Sequence, residues 1–146
     1  PLGAASRSAM DKAWNRTTGN ATGMAMNISV GGRKVTIPAT SGECGRASFA
    51  DLCEQPLGPA DYLAIADQFD TFFLDDVPVI PWSRNNEAKR FVTLIDTFYE
   101  AKMRLYCSAA AEPEDLYTKG TGSFEFERTA SRLAEMQSVD WLNEFA

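Results

Sequence analysis

The chain has no histidine, and this absence removes the commonest zinc ligand and the commonest general base in proteins. Its three cysteines, Cys44, Cys53 and Cys107, form no Cys-x-x-Cys pair, so we expect no metal site and reduced thiols, although Cys44 and Cys53 could lie close in space. Without histidine a serine nucleophile would need a lysine base, and no Ser-x-x-Lys arrangement is present. Hydrolases that act through a nucleophile are therefore excluded.

Positive charge is also scarce. The 14 basic residues face 20 acidic ones, and the net charge of -6 leaves no basic patch that could follow a phosphate backbone, so no nucleic-acid partner is expected. No run approaches the roughly 20 apolar residues of a membrane helix, and the chain does not open on a basic segment followed by an apolar one. These absences predict a soluble, cytoplasmic protein with no membrane span.

What is present is enough apolar sequence for one folded unit. At 146 residues, 45% of them hydrophobic, the chain is long enough to bury a single core, and we predict one domain over 1–146. Within it, 1–45 are expected to form a helix and a β-hairpin, and 46–146 an α/β segment. The overall prediction is a mixed α/β fold.

The first predicted element is a helix. Ser8 precedes Asp11 by three residues in the manner of a capping box, and Met10 and Trp14 share one face. Gly19 is the expected stop, because glycine accepts the left-handed conformation that commonly ends a helix.

A hairpin is predicted next, because apolar residues alternate with polar ones on both sides of Gly31-Gly32. A two-residue Gly-Gly loop accepts the positive φ angles of tight hairpin turns. The expected register pairs Val30 with Arg33, Ile28 with Val35, and Met26 with Ile37.

The second half alternates strands and helices. After a short strand or strand-to-turn piece over 46–51, a helix opens at Gly58-Pro59, and the buried strand TFFLDDVPVI must end near Pro78. The clearest helix follows, capped by Ser83 or Asn85, and leads into the strand RLYCSA. Strand, helix and strand in this order predict a right-handed parallel crossover. A last helix is expected from near Glu125, with Trp141, Leu142 and Phe145 closing the chain.

Paired carboxylates, Asp75 and Asp76, follow the apolar part of TFFLDD, which is how a Walker B strand presents an acid to magnesium-bound nucleotide. Its partner would be a G-x-x-x-x-G-K-[ST] loop, and no stretch of this sequence fits that spacing. Capping or ion pairing is therefore the favoured role of these acids. The order of strand, helix and strand also imitates the passage from Walker B to sensor 1, and the sequence leaves open whether this is ancestry or common α/β topology.

Four arginines are the candidate catalytic residues: Arg84 and Arg90 beside the start of the major helix, and Arg128 and Arg132 one turn apart on the last. A guanidinium donates two parallel hydrogen bonds and keeps its charge, as contact with a γ-phosphate requires, and a neighbouring subunit can supply it. The alternative is a set of surface ion pairs with nearby glutamates, namely Glu87, Glu125 or Glu127, and Glu135.

Several long strings resemble one family. PLGPADYLAIADQF, FLDDVP, NEAKRFVTLIDTFYE, SAAAEPEDLY and FEFERTASRLAEMQS are similar to the C-terminal part of the ZapE- and Afg-type ATPases, which are AAA-type enzymes. The resemblance implies that the Walker A and Walker B elements lie in a preceding region, so this chain would be the C-terminal portion. It also implies that the parent protein uses ATP and magnesium, while this chain alone would bind neither and would be inactive.

The resemblance further implies a biological setting. ZapE-type members act on FtsZ assemblies in bacterial division, and the mitochondrial members are implicated in protein quality control. The implied task is ATP-fuelled protein remodelling, with FtsZ or another protein as partner, the N-terminal ATPase half as a second partner, and homo-oligomers in the full-length form. Arg84, Arg90, Arg128 and Arg132 fall in the matching strings and would complete or sense the ATP site. The alternatives are a free-standing protein-interaction module independent of nucleotide and a scaffold that stabilises the ATPase core.

Overall fold

The structure is a computed structural model, and it describes residues 3–117 and 123–136. Five strands form one sheet in the order β1-β2-β3-β4-β5. The first three are antiparallel neighbours, whereas β3, β4 and β5 run parallel. The predicted mixed α/β class is confirmed, and the hairpin and the α/β segment contribute to the same sheet.

The helices and strands follow one another along the chain with short connections. In order they are α1 (Ala4–Thr18), β1 (Met24–Val30), β2 (Arg33–Ser41), β3 (Cys44–Ser48), α2 (Phe49–Cys53), α3 (Pro59–Gln68), β4 (Thr71–Val77), α4 (Asn85–Glu100), β5 (Arg104–Ala109) and α5 (Ser123–Met136). Two 3-10 turns, Trp82–Arg84 and Pro113–Asp115, precede α4 and α5.

The start predicted for the first helix is wrong. α1 begins at Ala4, and Gly3 is its N-cap, with the Gly3 N–H donating to Ser6 Oγ at 3.0 Å. The local cap therefore lies one turn before the Ser8 to Asp11 pair, which falls inside the helix. Its end at Gly19 is confirmed, since Gly19 has a left-handed φ of 70°.

The hairpin is confirmed with its register. Val30 pairs with Arg33, Ile28 with Val35, and Met26 with Ile37, and an irregularity follows Met24. Gly31 and Gly32 have φ angles of 50° and 83°, which the turn requires and which most side chains disfavour.

The parallel crossover from β4 through α4 to β5 is confirmed. Two boundaries differ from the predicted ones. In the segment 46–51, expected to be a strand or a strand-to-turn piece, the strand ends at Ser48, because Ser48 and Asp51 form a capping box that starts α2. The N-cap of α4 is Arg84, not Ser83 or Asn85, and no side chain caps it, because a 3-10 turn leads the chain directly into the helix.

The sheet is covered on both faces. Phe72 and Leu74 of β4 belong to the large core that includes α2 to α5, whereas Phe73, which points the opposite way, packs on Trp14 of α1. Phe73 also stacks on Tyr106 of β5, with ring centroids 4.5 Å apart. The last helix begins two residues before the predicted Glu125, and its predicted apolar face is buried: Phe126, Ala130 and Leu133. The predicted closing segment with Trp141, Leu142 and Phe145 lies outside the described residues.

Candidate functional site

The four candidate arginines form two separate pairs along α4. Arg84 and Arg90 lie at the start of α4, beside the end of α2. Arg128 and Arg132 project from α5 onto Asp96. Asp96 lies six residues after Arg90, which is about 9 Å along the helix axis. The fold therefore does not bring the four guanidinium groups to one place.

Arg90 forms a hydrogen bond to the backbone of α2. Its Nη1 donates to the carbonyl oxygen of Cys53 at 3.1 Å, and Tyr62 Oη donates to the neighbouring carbonyl of Leu52 at 2.7 Å. These are carbonyls in the last turn of α2, which have no partner within a five-residue helix. Arg90 and Tyr62 thus satisfy the end of α2, and this explains why an arginine is present at that position.

The surroundings of this junction are apolar. Cys53 and Tyr62 are fully buried. Burial raises the pKa of the Cys53 thiol far above its ordinary value, and burial, followed by the nearby Cys53, does the same to the pKa of the Tyr62 phenol. Both groups therefore stay neutral at physiological pH and serve packing and hydrogen bonding.

Arg84 bridges two helices through carboxylates. It lies 3.2 Å from Glu54, the residue that ends α2, and 3.5 Å from Glu87 in the first turn of α4. Glu87 is also 4.0 Å from Arg90. The alternative of ion pairing with Glu87 thus holds for both arginines at this end, and Glu87 is the partner that they have in common.

Arg132 is held from several directions. Its Nη1 donates to Asp96 Oδ1 at 2.9 Å, Nη2 lies 3.6 Å from Glu100, and the guanidinium stands 4.8 Å from the centroid of the Tyr99 ring. All three partners belong to α4, at spacings that place them on one face. Arg132 therefore fastens α5 to α4.

Arg128 is the loosest of the four. Its side chain is 62% exposed, and its contact, from Nη2 to Asp96 Oδ2, is 3.5 Å long. That distance is at the limit for a hydrogen bond, whereas a charged pair is normally closer than 3 Å. Among the described residues, Arg128 is thus the candidate arginine whose guanidinium is freest to change partners.

Hydrogen bonding also involves Tyr99 and Glu135. The bond from the Tyr99 phenol to the Glu135 carboxylate raises the pKa of Tyr99. On this side Asp96 contacts both guanidinium groups, Glu100 lies near Arg132, and Glu135 accepts the bond from Tyr99. The α5 arginines take their ion-pair partners across to α4, which spacing within α5 could not predict.

A fifth arginine, Arg46, was not among the sequence candidates. Its Nε donates to Asp75 Oδ2 at 2.7 Å and its Nη2 to Asp75 Oδ1 at 3.1 Å, while Nη2 lies 2.9 Å from Asp11 of α1. Burial alone would lower the pKa of Arg46, but its bond to Asp75 and the charge of that carboxylate raise it instead. The alternation of β3 and β4, with Arg46 opposite Phe73, was the signal that could have indicated this pair.

This pair explains the carboxylates of TFFLDD. Both oxygens of Asp75 accept from Arg46, which supports the ion-pairing role over a Walker B role. Asp76 has a left-handed φ of 61°, and its N–H donates to Ser108 Oγ at 2.8 Å. Within 3–117 and 123–136, no three His, Cys, Asp or Glu side chains are grouped so that they could hold a metal ion.

Comparison with known proteins supplies the family. Residues 1–144 match the model of the AFG1-like ATPases. The chain belongs to this family. The resemblance to ZapE- and Afg-type ATPases is thereby confirmed. The phosphate-binding loop of an ATPase is nonetheless missing from the sequence of this AFG1-like chain.

Individual relatives come from distant organisms. The chain is similar to lactation elevated protein 1 homolog B of Danio rerio, at 38% identity over 78% of this chain and 29% of the relative. It is similar to the cell division protein ZapE of Escherichia coli K12, at 34% identity over 97% of this chain and 38% of the relative. An uncharacterized protein of Schizosaccharomyces pombe is 26% identical, over 80% and 32%. The AFG1-like chain thus spans less than two-fifths of the length of these relatives.

No solved structure matches the chain. Over the part of the chain that the structure describes, no helix is both long and apolar enough to cross a membrane. The match to the family model establishes an ATPase-family domain. Which residues this domain contributes to the ATPase is inferred below from the geometry of the arginines.

Proposed function

We propose that this chain is the C-terminal domain of a ZapE-like ATPase and that it supplies Arg128 to a nucleotide site. The phosphate-binding loop, the ATP and the magnesium would belong to the preceding part of the protein. The family match and the missing loop support this division of labour. By itself the chain would release phosphate from ATP only at the background rate.

The observation that carries this proposal is the state of Arg128. An arginine that meets a γ-phosphate must be reachable from outside its own domain and must lose little when it leaves its resting partner. Arg128 is 62% exposed, and among the described residues its one ion-pair contact is long, so both conditions hold. Its charge remains available because the guanidinium does not deprotonate in proteins.

The other three candidates take different places in the proposal. Arg132, anchored to Asp96, Glu100 and Tyr99, would set the position of α5 and would not itself reach phosphate. Arg90 would be structural, since it completes the end of α2. Arg84 is 41% exposed and is the second candidate for a phosphate contact.

The biological role is proposed by analogy with the named relative. ZapE of E. coli is a cell division protein. We therefore propose that the parent protein is a cytoplasmic, homo-oligomeric ATPase that remodels or binds FtsZ assemblies, or another protein partner, and that the arginine serves either its own subunit or the next one. This part of the proposal rests on family likeness.

The test is ATP turnover of the whole ATPase that contains this chain. Arg128→Ala is expected to lower kcat by about 10³-fold, the usual scale for losing an arginine that stabilises the transferring phosphate. Arg128→Lys keeps the charge but loses the planar fork, so it should restore only part of the rate. Arg16→Ala, at an exposed arginine of α1, is the matched control and should leave turnover unchanged. Wild-type turnover in Arg128→Ala would contradict the proposal.

A nucleotide-independent interaction module is the second candidate function. In residues 3–117 and 123–136, three large apolar side chains are exposed, Met24 at 76%, Leu63 at 56% and Val79 at 51%, and this account assigns them to contact with a partner. If Arg128→Ala and Arg132→Ala leave both turnover and assembly intact, this account gains. Substituting Leu63 or Val79 by serine should then abolish partner binding without a change in turnover.

A further inference from the structure

Asp96 of α4 is shared by two arginines of α5. Its Oδ1 accepts from Arg132 at 2.9 Å, and its Oδ2 lies 3.5 Å from Arg128. The carboxylate is only 24% exposed, whereas the Arg128 side chain is 62% exposed. The partly buried Asp96 therefore holds Arg132 tightly and Arg128 loosely.

The two contacts differ in what happens when they break. If Arg128 leaves, Asp96 keeps its charged bond to Arg132, so no partly buried carboxylate is left unpaired. If Arg132 leaves, it gives up Asp96, Glu100 and the Tyr99 ring together. Because leaving a buried charge unpaired is the main cost of breaking an ion pair, Arg128 is the exchangeable partner.

We propose that Asp96 is a positioning residue that holds Arg128 against α4 until a phosphate group displaces it. This inference rests on the proposed function, since it concerns the resting state of the same arginine. The carboxylate and the phosphate compete for one guanidinium, and the phosphate offers more oxygens and more charge. In the absence of nucleotide, Asp96 keeps the Arg128 guanidinium against α4.

The size of the effect follows from the geometry. An exposed ion pair at 3.5 Å is weak, so its removal should raise the fraction of molecules in which Arg128 is unpaired by about two- to five-fold. The fraction of molecules with Arg128 available would rise by that factor, and kcat/KM for ATP would rise with it. A purely structural Asp96 would instead lower the rate or leave it unchanged when removed.

The experiment is a double-mutant cycle in the whole ATPase, with ATP turnover as the readout. Asp96→Asn keeps an oxygen that accepts from Arg132 but loses the charge that holds Arg128. It should raise kcat/KM by about two- to five-fold. The same substitution in an Arg128→Ala background should change nothing. Asp96→Ser is the second variant, in case the asparagine protein is poorly folded, and it should show the same gain.

Glu100→Gln is the matched control. It removes a carboxylate of the same α4 face that lies 3.6 Å from Arg132, and it should leave kcat/KM at the wild-type value. Asp96→Glu keeps the charge and should also behave like wild type.

Two results would overturn the role of Asp96 alone. One is an unchanged or lower kcat/KM in folded Asp96→Asn while Arg128→Ala still loses turnover. The other is a gain that persists without Arg128, which would mean that the lost charge acts directly on the nucleotide. Wild-type turnover in Arg128→Ala would overturn the proposed function and this inference together.

Discussion

The two sides of α4 hold arginines in different ways. At its start, Arg90 donates to a backbone carbonyl of α2 that would lose its donor if the guanidinium left, and Arg84 pairs with Glu54 and Glu87 at the surface. Farther along, Arg128 and Arg132 share Asp96, each through a different carboxylate oxygen. An arginine's role in this fold therefore depends on whether its departure would leave another group unsatisfied.

High pH should give the largest effect, through the buried groups next to the start of α4. The fully buried Cys53 and Tyr62 lie beside the start of α4, and burial raises the pKa of both. Burial also raises the pKa of Cys107 to about 12. Since the folded state favours the protonated forms, their contribution is fully present below pH 9, the ordinary range of a thiol, and is lost progressively as pH rises above it.

Urea unfolding at pH 7, 8.5 and 10 measures this loss. The free energy of unfolding should be similar at the first two values and clearly lower at pH 10. Cys53→Ala should make the decline shallower, because it removes one group that the fold keeps protonated. If the free energy of unfolding did not change up to pH 10, water would have to reach Cys53 and Tyr62 at the end of α2.

Removing Arg90 should give the next largest effect. Arg90→Ala leaves the carbonyl of Cys53 without its donor in a buried setting, so the free energy of unfolding should fall by about 1–3 kcal/mol. Arg84→Ala, which breaks only exposed ion pairs, should cost about 1 kcal/mol or less. Urea titrations at pH 7 compare the two variants. If the two variants lost the same free energy of unfolding, the backbone contact of Arg90 would contribute no more than the surface pairs of Arg84.

The smallest effect is expected on α5. Arg128→Ala should change the free energy of unfolding by about 0.5 kcal/mol or less, because its ion pair with Asp96 is long and exposed. Arg132→Ala should cost about 1 kcal/mol, since it loses two carboxylates and the Tyr99 ring. Thermal unfolding followed by circular dichroism measures both. A larger loss in Arg128→Ala than in Arg132→Ala would reverse our assignment of anchor and exchangeable arginine.

The elements encoded by local pattern were predictable from the sequence. The Gly31-Gly32 turn and the alternation around it fixed the hairpin with its register, since a one-residue slip would turn Ile28 and Val35 away from the core. The parallel crossover followed from the order of strand, helix and strand between 71 and 109. The family resemblance rested on longer strings and was confirmed as well.

Most of what could not be predicted depends on contacts distant in sequence, and one boundary depends on a local cap. The candidate arginines were found by type, but their partners were not, because α5 meets Asp96 of α4 only after both helices pack on the sheet. Arg46 was missed because its pairing with Asp75 requires the register between β3 and β4. The start of α1 was misplaced because Gly3 and Ser6 give a cap one turn before the more familiar Ser8 to Asp11 spacing.

The most direct measurement is the structure of the whole ATPase with ADP and aluminium fluoride, which imitates the phosphate during transfer. The account predicts the Arg128 guanidinium at about 3 Å from a fluoride, with its contact to Asp96 broken and Arg132 still on that carboxylate. Arg90 should remain on the carbonyl of Cys53. A structure in which Arg128 still contacts Asp96, while Arg84 or Arg90 meets the fluoride, would contradict it.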